Sequence, residues 1–248
     1  RRKRYKPKLF AESMQFKKGD VYNRTEHNLT LSRLINLDLF KFVKNRFELT
    51  KEDSAKLDAY YYLTPQLQKS LQAEFTYVTR SNSLNGGDIT FSWKHRNFFQ
   101  DGSHLKLSAY IGSDIQFSGA FAGYNTLRTG AEADLSIPRA KVPLFRIKGY
   151  GGYAPRTDIK LGYDILKRIV LYTLNSVRIQ YGYNWKSSIQ KPHELYPINI
   201  NYVQPLDVTS DYDSLERIYP GLDRAIEEQF IIGATYHFNY NQAANALP

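Results

Sequence analysis

The sequence predicts a mainly β protein: antiparallel, membrane-spanning barrel strands, about eight of them, preceded by a small α/β module. Three observations carry that prediction. Beyond Pro65 the apolar residues recur at every second position in one segment after another. Those segments run ~9–13 residues, the length that crosses a bilayer rather than the ~5–6 usual in soluble strands. The apolar side of each lacks Lys, Arg, Asp and Glu, while the other side mixes both signs of charge with glycine.

Composition bounds the rest. Of 248 residues, 42% are hydrophobic and 15% aromatic, with 20 Tyr and 14 Phe, which excludes a disordered chain. No stretch approaches the ~18–20 apolar residues of a membrane-spanning helix. The tail from Gln229 to Pro248 lacks formal charge but is broken by Asn, Gln, Thr and His. Zero Cys removes disulfides, thiolate metal sites and cysteine nucleophiles together. The start, Arg1 to Lys8, is basic but leads to no apolar signal-peptide core, and the chain reads as a mature or truncated product.

The first 65 residues form one organisational unit. From Asn23 to Val43 the period is helical, with Leu31, Leu34, Ile35 and Leu37 to Leu39 at three- and four-residue steps. Asn23 with Glu26 has capping-box spacing after the Gly19-Asp20 turn. Phe40 to Phe47 and Leu57 to Leu63 read as two strands, ended by Pro65.

The period then becomes two. Strands are read over Leu71–Tyr77, Ile89–Trp93, Leu105–Ile111, Leu127–Ile137, Ile159–Ile165, Val177–Trp185, Ile198–Tyr202 and Phe230–Tyr240. Turn chemistry lies between them at Asn85-Gly86-Gly87, Asp101-Gly102, Gly119 to Asn125, Pro138 to Pro143 and Lys191-Pro192. Ser214 to Gln229 reads as a helical insertion in the longest connection.

Alternation alone does not say which face is buried. A soluble barrel or sandwich turns the apolar face in, and an outer-membrane barrel turns it out to lipid. Aromatics near strand ends (Tyr77, Trp93, Tyr181 to Trp185, Tyr236 to Tyr240) favour lipid, as an interfacial girdle does. So do the opposite faces, with Glu74, Asp88, Lys94, Arg96, Arg128, Glu132, Asp134, Lys160, Asp164 and Arg178, which suit a wet lumen. The soluble ligand-carrying barrel stays open as an alternative.

Particular residues point to a family. Gly19, Asp20 and Tyr22 form a turn leading into a helix with Leu34, followed by a strand with Phe40 and Val43; this resembles a POTRA module, and Leu63-Thr64-Pro65 its joint to a barrel. Arg96, Asn97, Phe98 and Phe99 with Gly102 resemble the second barrel hairpin of outer-membrane assembly factors related to BamA and TamA. The wording is most similar to the TamL-type proteins of Bacteroidota. The resemblance implies an incomplete last POTRA-like module over residues 1–65. Residues 66–248 are then the first half of a barrel that the family closes with sixteen strands. The family's late Arg-Gly-Phe/Tyr loop element is absent from this sequence. It also implies a place in the outer membrane of a Gram-negative bacterium, with the POTRA module in the periplasm. The expected function is non-enzymatic protein assembly, insertion or translocation.

In the family the barrel seam lies at the first strand. Here that strand is Ser70, Leu71, Gln72, Ala73, Glu74, Phe75, Thr76, Tyr77, Val78 and Thr79, expected to act as a lateral-gate template for client strands. The implied partners are outer-membrane lipid and lipopolysaccharide, client β-barrel or secreted proteins, and an AsmA-like (TamB-type) periplasmic protein. A polypeptide- or solute-conducting pore is the alternative within the same fold.

No catalytic constellation, cofactor motif or metal set is expected. His27, His95, His104, His193 and His237 share no i, i+4 spacing, and His193-Glu194 reads as a solvated turn. Glu227-Glu228 with Asp223 reads as the solvated face of the insertion. No nucleotide-binding or nucleophile-elbow motif is present. The excess of 34 Lys+Arg over 24 Asp+Glu is spread along the chain, so anionic lipid rather than nucleic acid is the expected counter-charge.

Overall fold

The structure, a computed structural model, describes residues 4–51, 53–79, 84–116, 125–140, 149–212 and 226–242, with positions 123, 142, 147 and 214 between them. Helix α1 (Pro7–Ser13) opens on a proline, which suits the first helical position because its missing N–H has no partner there anyway. Helix α2 (Arg24–Asn36) opens at Asn23, whose side chain accepts from the Thr25 amide at 2.9 Å. Glu26 lies in the first turn and Arg33 in the last, both complementing the helix dipole. The helix is shorter than its sequence period. The Leu37 amide closes the last turn, Asp38 enters the left-handed region at φ 55, and the extended chain resumes at Phe40.

Strands β1 (Phe40–Thr50) and β2 (Asp53–Pro65) then form an antiparallel hairpin. Leu9, Leu34, Leu37, Leu39 and Phe40 form its buried core, with Val43, Tyr61 and Leu63 packed on it. Among the described residues this sheet has two strands.

Eight further strands form one antiparallel meander: β3 (Lys69–Thr79), β4 (Leu84–His95), β5 (His104–Gln116), β6 (Thr126–Ile137), β7 (Arg156–Arg168), β8 (Tyr172–Ser188), β9 (Lys191–Val208) and β10 (Gln229–Phe238). Each of the eight predicted strands falls on one of these. The sheet is open among the described residues, with β3 at one edge and β10 at the other. Helix α2 precedes it, and among the described residues the connections between its strands hold one short helical stretch, at residues 210–212 and 214 between β9 and β10.

Two turn assignments are corrected. Asn85-Gly86-Gly87 lies inside β4, paired with Asp114 and Val78 on its neighbours. Gly86 is there because the Asp114 carboxylate occupies the space a Cβ would need. Lys191-Pro192 opens β9, and the hairpin turn is Ile189-Gln190; proline is tolerated at the start of a strand. Most of the predicted insertion after Ser214, the loop from Gly119 and part of the Pro138–Pro143 segment lie outside the described residues.

Candidate functional site

The two faces of the large sheet are chemically distinct. Register aligns Leu71, Trp93, Leu107, Ala133, Leu161, Ile179, Ile200 and Ile232 in one row across all eight strands. This face is open: Phe75 is 70% exposed, Phe91 55%, Leu107 42% and Ile179 38%. These side chains do not converge in a protein interior. A contiguous apolar surface of this size needs a covering phase.

The aromatic positions on it run diagonally. Trp93 is in register with Ile179, whereas Trp185 stands six residues further along β8, toward the N-terminal unit. Six residues (~20 Å) over four strand spacings (~19 Å) is a slope of about 45°, close to the tilt of strands in a membrane barrel. His193 closes the lower end of this line. Its ring stacks on Trp185 at 5.0 Å and lies 5.1 Å from Phe238, and its nitrogens meet Ser187 Oγ and Tyr236 Oη. It completes an aromatic cluster on the apolar face, and no group of potential metal ligands is found among the described residues.

The other face is polar. Side chains on it reach across an intervening strand, a span of ~9–10 Å that is open only where the strand between carries no side chain. Arg128 on β6 bonds Asp88 on β4 at 3.1 Å, passing Gly112 on β5. Tyr110 on β5 donates to Asp164 on β7, passing Gly130 on β6. Arg178 on β8 meets Glu132 on β6 at 3.4 Å, passing Gly162 on β7, and also bonds Asp164 at 2.8 Å. Each bridge straddles a position without a side chain; Asp88 itself lies where a Cβ on Gly112 would be. Together they brace β4 to β8 into one slab. Seven residues around Lys160, Arg178, Glu132 and Asp134 line a polar groove of about 200 Å³ on it.

Near its N-terminal-unit end this face takes one more aromatic. Tyr196 and Pro197 together stand opposite Gly182, a β-bulge that turns Tyr196 inward beneath Lys160, 5.0 Å from its ring centroid.

The N-terminal unit is bolted to the turns at one end of the sheet. Asn97, 2% exposed, accepts from the Gly102 amide at 3.0 Å and donates to the Arg4 carbonyl at 2.9 Å. Gly102 takes φ 83, and a Cβ there would press on Leu9 and Pro138 at 3.2 Å. Asp38 receives Arg96 Nε at 3.1 Å and Lys94 Nζ at 3.3 Å. Burial works against the Asp38 carboxylate, but Lys94 and Arg96 outweigh it and hold its pKa below the ordinary value. Asp101 is depressed in the same sense: hydrogen bonds from Ser103 and the charges of Arg139 and Lys6 overcome its burial. Further bolts are His104 Nε2 to the Leu37 carbonyl (3.1 Å), Asn36 Nδ2 to the Gly152 carbonyl (3.1 Å) and Arg139 Nε to Glu12 (3.4 Å), with Arg139 held from its other side by Asp101 at 2.7 Å.

The sequence-derived residues therefore separate. Arg96, Asn97 and Gly102 meet in the joint; Arg96 leaves the luminal set, since it stands in the turn after β4 and serves Asp38. Phe98 is exposed and packs on Phe99 at 4.9 Å. Gly19 takes φ 94, Asp20 accepts from the Lys17 amide, and Tyr22 lies edge-on to Phe47. Leu34, Phe40 and Val43 belong to the small core. Ser70 to Thr79 is edge strand β3. Among the described residues no side-chain hydrogen bond or ion pair is found between β3 and β4; beside the backbone ladder, the Phe75 and Tyr77 rings lie next to Gly87. Sequence reasoning missed Arg4, Asp38, Arg139 and Gly152 as joint residues, and the Tyr196 bulge.

No protein-family model matches the sequence, and no curated protein matches it. Among solved structures, the chain is similar to the crystal structure of BamA from Haemophilus ducreyi lacking POTRA domains 1–3, with a TM-score of 0.57 and 12% identity. The alignment covers 96% of this chain and 42% of that one, so the chain spans less than half the length of its neighbour. At that identity the likeness establishes architecture alone: the antiparallel meander of eight strands has the fold of a BamA-type barrel.

Proposed function

We propose that this chain belongs to a non-enzymatic outer-membrane factor that assembles, inserts or translocates proteins. On this reading residues 66–248 are the first half of a sixteen-strand barrel, and residues 1–65 an incomplete last POTRA-like module on the periplasmic side. Gly19, Asp20, Tyr22, Leu34, Phe40 and Val43 carry that module's likeness, closest to the TamL type. One observation supports the reading above the others: an uncharged, exposed face sloped at about 45° backs a braced, charged face, which is the division a lipid-facing barrel requires.

Strand β3 is then the template edge. In hydrocarbon each unsatisfied backbone group costs several kcal/mol, so an opened seam recruits a client strand by completing its ladder. Its lipid face, Leu71 to Tyr77, carries the small Ala73 at its centre, and without side-chain hydrogen bonds or ion pairs to β4 it is the least braced flank of the slab. Clients, lipopolysaccharide and an AsmA-like periplasmic protein are the partners this role requires.

Two experiments test the reading. Ala131→Lys, in mid-belt on the outward face, should cost ~2–4 kcal/mol of insertion free energy, while the inward Ser176→Lys should be tolerated; equal tolerance of both refutes the lipid face. Cysteines at Ala73 and Thr76, paired with the terminal strand of the full-length protein, lock the seam. Client insertion at an undiminished rate with the lock verified would overturn the gate.

A further inference from the structure

The chain's positive charge is concentrated where the barrel is not. Residues 1–65 hold 15 Lys+Arg against 8 Asp+Glu, which is +7 of the total +10. Three of these cations lie on or beside one surface. The β1–β2 hairpin turns Val43, Tyr61 and Leu63 toward the helices. At the end that leads through Pro65 to β3, its opposite face carries Phe42, Lys44 and Arg46, which pair across the ladder with Thr64, Tyr62 and Tyr60, while the acidic Glu48 and Asp58 face each other at the far end. Phe42 is 56% exposed, Tyr62 54% and Tyr60 43%, and Lys41 lies 5.5 Å from the Phe42 ring centroid. Among the described residues no other element packs on this face.

From these observations we infer that the outer face of the β1–β2 hairpin docks on anionic lipid head groups of the membrane into which the adjoining sheet inserts. The inference rests on the proposed outer-membrane reading. Its chemistry is that of an interface: amphipathic rings that accept a half-wet, half-apolar environment, interleaved with cations spaced for phosphate. The face is also tethered close by. Nine residues separate Tyr62 from Leu71, the first lipid-facing residue of β3, a reach of at most ~30 Å. Arg46 is partly neutralised by Glu48 at 2.6 Å, so Lys41 and Lys44 carry most of the attraction.

The test uses the full-length protein with Thr64→Cys on the same face carrying an environment-sensitive fluorophore; residues 1–248 contain no other cysteine. The protein is reconstituted into nanodiscs of phosphatidylcholine alone or with one-third phosphatidylglycerol. The expected result is a blue-shifted, quencher-protected label only with the anionic lipid, reversed by raising salt from 0.1 to 0.5 M, where screening is strong. Lys41→Gln/Lys44→Gln should remove the response while leaving heat-modifiable migration unchanged. A label indifferent to lipid charge in a properly incorporated protein overturns the inference and leaves the membrane reading standing. Failure to incorporate at all overturns both. Protection by added polyglutamate but not by anionic lipid also overturns it, assigning the face to an acidic protein instead.

Discussion

Asn97 is the side chain through which the joint between the small unit and the sheet is most sharply tested. Its two amide atoms make different bonds: Oδ1 accepts from the Gly102 amide, and Nδ2 donates to the Arg4 carbonyl. Asn97→Ala removes both and strands a buried N–H, at ~1–3 kcal/mol for the orphaned donor plus ~1 kcal/mol for the second bond. Asn97→Asp keeps the acceptor for Gly102 but sets a buried carboxylate oxygen against the Arg4 carbonyl, so it should cost at least as much as the alanine. The contact closes a local unit at the sheet's end, so the cost will be read in local opening and not in unfolding of the barrel. Amide hydrogen exchange at Gly102 and across residues 4–10 is the assay. At ~1.4 kcal/mol per factor of ten, Asn97→Ala should accelerate exchange there by ~30- to 800-fold, and Asn97→Asp by no less. Exchange within threefold of wild type for either variant refutes the assignment.

Other expectations follow from the same geometry. Gly112→Val should dislodge Asp88 from Arg128 and lower the urea midpoint of the sheet, whereas Gly233→Val, with open space around it, should not. The Asp38 pKa is depressed in the folded protein, so its contribution to the joint is full above the unfolded aspartate value of about 3.9 and vanishes as pH falls through the lower folded value. Exchange protection around Leu37 and Arg96 should therefore weaken on acidification toward pH 3, and Asp38→Asn should flatten that response. The effect is modest, within ~1 kcal/mol, because Asp38 is 43% exposed. His193→Ala should loosen the Trp185–Phe238 stack, read as a red shift in tryptophan emission.

Strand number and the chemistry of the two faces were legible because a period of two survives any register and needs no knowledge of partners. The N-terminal cap at Asn23 was legible for the same local reason. The joint was not. Its members, Arg4, Asp38, Asn97, Arg139 and Gly152, are far apart in sequence, and half of its bonds end on backbone carbonyls that any residue could supply. Gly86-Gly87 misled because a glycine that admits a neighbour's carboxylate has the same spelling as one that makes a turn. The true β8–β9 turn, Ile189-Gln190, contains no turn-forming residue at all.

The bulge in β9 makes strand phase dependent on a single residue. Strand β9 begins with His193 and Leu195 outward, spends Tyr196 and Pro197 on one position of β8, and resumes outward at Ile198. Excising Pro197 would leave an unbroken zigzag in which Tyr196 stays on the polar face and His193 and Leu195 stay on the apolar one. Straightening the strand with Pro197 kept would instead exchange the sides of everything from Lys191 to Tyr196. The doubled position opposite Gly182 is what keeps both halves of this long strand in phase, so loss of one codon here should be tolerated where an insertion or deletion elsewhere in the strand would turn half of it over.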